Sequence, residues 1–217
     1  MVADLENICN WYAKNRAEQV IASLKKRQMN GYFADNRAKA CELALSLIPS
    51  GSEVGLGGSL TVSQIGLLDA LIAGKFKLYN QYEPGIDREE SLKRRKLGSQ
   101  AEYYVSGCNA ITLDGVLINQ DGIGNRVAAF CFGPQKVIHL VGYNKIVPDI
   151  ATGLLRLRQW AAPANAKRLE LPTPCGADAL CHDCDSERRI CNYTLIQEFS
   201  LVPDRTYVII IGEALGL

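Results

Sequence analysis

A chain of 217 residues with 47% apolar composition is long enough to bury a sizeable core. Its formal net charge of +1 removes any electrostatic case for nucleic acid or an anionic membrane, and no apolar run reaches the roughly 20 residues of a membrane span. The stretch Met1–Glu6 lacks the apolar region of a signal peptide, so the expectation is a cytoplasmic protein, where eight cysteines point to metal or redox use rather than to disulfides.

Leu5, Ile8, Cys9 and Tyr12 share one face and Val20, Ile21 and Leu24 another, which predicts a helix over 4–29, stopped by Asn30-Gly31. Asp35 is placed to cap a second helix running to Ile48, ahead of Pro49. Glu53–Leu56 reads as a strand, followed by glycines and a helix carrying Ile65, Leu68 and Ile72. Phe76–Tyr79 reads as the next strand. Residues 87–97 form a charged helix with Glu89/Lys93 and Glu90/Arg94 at pairing distance, so its basic run is a solvated face and not a polyanion site.

Short β-type runs follow at 103–105, 116–118 and 137–141, punctuated by Asp114-Gly115 and Asp121-Gly122. One helix starts near Asn125. Another spans about 148–160, with Leu154 and Leu155 inward and Arg156 and Arg158 outward. Two more strand-like runs, 193–196 and 207–211, come after a cysteine-rich stretch. This return to β structure predicts a single α/β domain over 1–217, with 172–192 as an insertion or flap. The alternation of strands and helices predicts an open, mostly parallel sheet with helices on both faces.

Three features carry chemistry. The run Gly55-Leu56-Gly57-Gly58-Ser59-Leu60-Thr61 leaves a strand and enters a helix, as an anion cradle does and as a plain capped turn does equally. The segment from Asn109 to Arg126 packs Asn119, Asp121, Gly122, Gly124, Asn125 and Arg126 between apolar strands. Such polar groups at strand ends suit a pocket for a small hydroxylated or carboxylated molecule, with Arg126 free to fork onto an anion. Last, Cys175, Cys181, Cys184 and Cys191 are spaced C-x5-C-x2-C-x6-C, four soft ligands suited to an iron–sulfur cluster or to zinc. Cys9, Cys41 and Cys131 read as small core residues and Cys108 as a loop thiol. His139 reads as a core histidine, and His182 as pointing outward from its turn.

The combination GLGGSLT, NAITLDGVLINQDGIGNRVAAFCFGP, KVIHLVGYNKIV and the closing PCG…CHDC…RIC resembles the lactate-utilisation (LUD) domain family of the LutC/YkgG type, from about residue 10 to the end. The resemblance implies the fold of the ribose-5-phosphate isomerase, glucosamine-6-phosphate deaminase and CoA-transferase superfamily. It also implies a link to the oxidation of L-lactate alongside iron–sulfur partner proteins. By carry-over, Gly57, Gly58, Ser59 and Thr61 form a phosphate- or CoA-cradling loop, and Asp121, Gly122, Gly124, Asn125 and Arg126 the facing wall. Glu83 and Asp121 are candidates for an acidic base by position alone.

The leading expectation is a protein that binds a small anionic organic acid and carries a [4Fe–4S] cluster on its four cysteines. Two alternatives stand beside it: an isomerase- or transferase-like enzyme with structural zinc, acting on a phosphorylated or CoA-linked substrate, and a ligand-sensing module.

Overall fold

A computed structural model of the protein describes residues 4–217; Met1–Ala3, within the stretch read for a signal peptide, lie outside the described residues. In chain order the elements are α1 (Leu5–Lys26), β1 (Asn30–Ala34), α2 (Arg37–Ser46), β2 (Glu53–Leu56), α3 (Leu60–Gln64), α4 (Leu67–Ala73), β3 (Lys77–Tyr79) and α5 (Arg88–Gly98). Then come β4 (Tyr103–Gly107), β5 (Ala110–Thr112), β6 (Leu117–Asp121), α6 (Asn125–Cys131), β7 (Lys136–Gly142) and β8 (Ile146–Val147). A long helical stretch follows as α7 (Ile150–Arg156), a π-turn (Leu157–Ala161) and α8 (Ala162–Arg168); α9 (Pro174–Asp178), β9 (Tyr193–Gln197) and β10 (Thr206–Ile211) complete the chain.

Six strands form an all-parallel sheet in the order β1-β10-β7-β4-β2-β3. Its central strands are covered on both faces, which is why β10 (TYVIII) and β7 read as continuous apolar runs rather than alternating ones. Ile209 and Ile211 join a core with α2, α3 and α4, while Val208 and Ile210 pack on the other face beneath α1. A second, mixed sheet of four strands, β8-β5-β6-β9, accompanies the first.

The strand order sets the site. From β2 the chain runs outward to β3 at one edge, then returns through α5 to place β4 on the other side of β2. The connections leaving β2 and β4 therefore diverge, and a crevice opens at their C-terminal ends. Close packing of α5 holds this geometry: a Cβ on Gly55 would lie 2.0 Å from the Gly98 carbonyl oxygen.

Several local expectations are corrected. The inward stripe of α1 is Ala13, Ala17, Val20 and Leu24, so Leu5, Ile8, Cys9 and Tyr12 are exposed. Strand β1, where only a stop was read, starts at Asn30 itself. Asn36 rather than Asp35 caps α2, accepting from the Lys39 amide at 3.0 Å, while Asp35 pairs with the Lys39 ammonium. Gly66, with φ of +75°, divides the third predicted helix into α3 and α4. On α5, Arg94 does pair with Glu90, but Lys93 also turns to Glu90. Cys131 is exposed, whereas Cys108 is buried. On α7, Leu155 faces solvent and Arg156 turns in, its guanidinium held by the Asn109 carbonyl at 2.7 Å.

Candidate functional site

A cleft of about 650 Å³ occupies the crevice. Its floor and walls come from the segments that leave β2, β4, β6 and β7, together with α5, α8 and the end of the chain. Of the residues picked from sequence, Gly57, Gly58, Ser59, Asp121, Gly122, Asn125 and Arg126 line it; Thr61, Asn119 and Gly124 lie behind the lining.

The glycine run forms a close-packed turn. A Cβ on Gly57 would sit 2.3 Å from Ser106 Oγ, so only glycine lets this backbone lie on β4. The Ser59 hydroxyl oxygen accepts from the Val62 amide at 3.2 Å, an ordinary N-cap. Because α3 has only five residues, a macrodipole contributes little to anion binding here. The turn thus shapes the cleft.

The facing wall is a self-contained ion pair. Asp121 Oδ1 accepts from Arg126 Nε at 2.7 Å, and Oδ2 accepts from the backbone amides of Arg126 and Val127 at 2.7 and 3.1 Å. Asp121 therefore caps α6, whose N-cap residue Gly124 has no side chain to do so. The other donors of Arg126 reach Asn109 Oδ1 and the Gln120 carbonyl, both at 3.0 Å, leaving Nη1 with only a long contact of 3.4 Å to the Gly58 carbonyl. The free fork expected of Arg126 is committed inside the protein, and Nη1 is its one donor left for a ligand. With three donors on its carboxylate, Asp121 is a cap and counter-ion rather than an available base. Glu83 lies outside the cleft lining, paired with Arg94.

Reading the residues in sequence missed Lys145, Arg95 and Arg168, which also line the cleft. Lys145, in the turn after β7, is 3% exposed; its Nζ donates to Thr61 Oγ1 at 3.0 Å, and no acidic side chain pairs with it among the described residues. Burial first, then the charges of Arg156 and Arg126, pull its pKa down to about 7 despite the opposing Cys108. Arg95 contributes a buried Nε with no hydrogen-bond partner. Further unpartnered polar atoms are Ser106 Oγ and Asn119 Nδ2, while buried His139 has only a backbone hydrogen bond at Gly107. His139 is a core residue packed on Phe130 with ring centroids 4.6 Å apart, and burial, aided by Arg126 and Arg205, drives its pKa down to about 3. Cys108, whose thiol donates to the Ala110 carbonyl, has its pKa pushed up by burial and stays protonated.

The cysteine segment borders this wall. Ile190 lines the cleft and lies against Gly122, and Asn192 bonds the Gly122 carbonyl at 3.0 Å and the Asp121 carbonyl at 2.9 Å. Four thiols suit zinc or a cluster chemically, but as placed they are not gathered around one centre. No group of three or more His, Cys, Asp or Glu side chains among the described residues could hold a metal ion. Cys175 Sγ turns to Thr173 Oγ1 at 3.6 Å. Cys191, its pKa raised mainly by burial, feels Cys181 and Cys184 nearby but bonds Arg189. Arg189 in turn ties the loop together through the Cys184 carbonyl and Asp183. His182 points outward to Asp178.

Comparison with known proteins gives a consistent picture. The LUD domain family matches residues 17–211. Among solved structures, a DUF162 family protein from Deinococcus radiodurans, determined at 1.70 Å resolution, is similar with a TM-score of 0.50 and 15% identity over 92% of this chain and 98% of that one. At that identity the likeness is one of fold. No curated protein matches.

Proposed function

The chain belongs to the LUD domain family, and from that premise we propose that its cleft binds a small organic acid in a role associated with lactate utilisation. One observation carries the reading: Arg95, Arg126 and Arg168 line the cleft against a single acidic side chain, Asp121. That acid is already spent on Arg126 and on α6. The remaining positive charge favours an anion, and a volume of about 650 Å³ suits a small-molecule site. Arg95 borders the cleft, and its Nε is buried without a hydrogen-bond partner in the protein.

Calorimetric titration with L-lactate, pyruvate and inorganic phosphate tests this. Replacing Arg95 or Arg168 by Ala should weaken binding of the preferred anion by about tenfold or more, the worth of one charge-assisted hydrogen bond. Unchanged affinity in both variants for every acid tried would sink the reading.

Cys175, Cys181, Cys184 and Cys191 enter as its redox arm if they hold an iron–sulfur cluster, or as a structural clasp if they hold zinc; either needs Cys175 to leave Thr173 and the loop tied by Arg189 to reorganise. Metal and sulfide analysis of protein purified without oxygen decides between them. Metal-free protein that binds its acid normally removes the arm and leaves the cleft.

A further inference from the structure

We propose that Lys145 is a nucleophile that forms a Schiff base with a small carboxylate bearing a carbonyl, of the 2-oxo acid kind. The inference rests on the organic-acid reading of the cleft and deepens it. An amine serves this chemistry when it is unprotonated, held in place and reachable. Lys145 Nζ has one hydrogen-bond partner, the Thr61 hydroxyl at 3.0 Å, which fixes its direction without adding negative charge. The groups facing it are Arg126 from α6, Arg156 from α7 and the Cys108 thiol between β4 and β5; the two guanidiniums disfavour an ammonium, and burial does so more strongly. Gly216 lies directly against the amine: a Cβ there would be 2.6 Å from Nζ and 2.4 Å from Thr61 Oγ1. Only glycine therefore fits against Nζ and the Thr61 hydroxyl, and Gly216 and Lys145 both belong to the lining of the cleft, which is the amine's route to a ligand.

The other cationic groups of the cleft supply the second half of the recognition. Arg95 and Arg168 line the same cleft as Lys145 and attract the carboxylate, so a ligand that carries a carbonyl next to its carboxylate brings both groups to a site that can recognise them. The Nζ lone pair attacks the carbonyl carbon, forming a C–N bond while the carbonyl π electrons move to oxygen. Both amine hydrogens leave with that oxygen as water, and the products are an imine and one water. No oxidant or reductant is consumed.

The experiment traps the imine. The full chain is incubated with pyruvate and sodium cyanoborohydride, and the reduced adduct is mapped by peptide mass spectrometry. At pH 7, Lys145 should label about tenfold or more faster than the exposed lysines, because a far larger share of it is neutral. Labelling should level off just above neutral pH instead of climbing towards 10. L-Lactate, which has the charge but no carbonyl, should slow the labelling of Lys145 alone. Lys145→Met should lose this adduct and keep the slow surface labelling. If that variant fails to fold, lactate protection in the wild-type chain gives the same decision. Binding of pyruvate with labelling only at surface lysines would overturn the Schiff base and leave the acid-binding cleft standing. Neither binding nor labelling would overturn both.

Discussion

Arg126 and Lys145 are basic side chains on the same cleft, held on opposite terms. Arg126 sits beside Asp121, and all but one of its donors end on protein oxygens at good distances. Lys145 has a hydroxyl and two like charges for company. A buried ion with its counter-ion holds the scaffold together; a buried amine without one raises the energy of its charged form and gives up its proton instead. The wall that looked most like a ligand site in sequence is thus the part most occupied with its own structure, and the corner without a motif holds the available chemistry.

The sharpest test of that contrast is Asp121→Ala. It leaves the Arg126 guanidinium buried without a counter-ion and frees two amides at the start of α6, so a loss of about 3–5 kcal/mol in urea denaturation is expected. Lys145→Met should behave the other way at pH 7, leaving the protein at least as stable as wild type. Equal losses in the two variants would erase the distinction.

The next largest effect lies in the alkaline limb. In the unfolded chain Lys145 holds its proton up to about its ordinary value of 10.5, while in the folded one it releases it near 7. Between those values the unfolded state binds the extra proton. Wild-type stability should therefore rise with pH relative to Lys145→Met, by at most about 1.4 kcal/mol per pH unit. Below 7 the penalty is fully present. A parallel pair of pH profiles would show that the amine is charged in the fold.

His139 gives the acid counterpart. Its ordinary value is 6.5 and its folded value about 3, so stability should fall as the pH drops through that window. His139→Leu should flatten the slope, read as the urea midpoint at pH 4.5 against pH 7. The smallest change expected is Ser59→Ala, about 1 kcal/mol for a lost N-cap with acid binding intact. A large loss of affinity there would return the glycine turn to the role of anion cradle.

Much of this architecture was legible along the chain. Glu53–Leu56, the helix from Asn125 and the final apolar strand announce themselves because burial on both faces of a parallel sheet demands unbroken apolar runs. The turn residues between them have few other uses. Edge strand β1 was missed because five residues, four of them half-buried, open on Asn-Gly and carry a turn signal stronger than their strand signal. Arg156 was placed outward because a basic residue on an amphipathic helix usually is; the Asn109 carbonyl that draws it inward comes from a segment 47 residues away.

Local sequence, then, determined which segments could be strands and helices, where the chain must turn, and that four thiols lie close along one stretch, since these depend on neighbours a few residues apart. Tertiary structure alone decided what the polar residues are for. It spent Asp121 on Arg126 and α6, turned Cys175 towards Thr173, and brought Lys145, Thr61 and Gly216 together from three distant parts of the chain. The physical reason is that charge state and availability are set by burial and by partners across the fold, and these are absent from the order of residues along the chain.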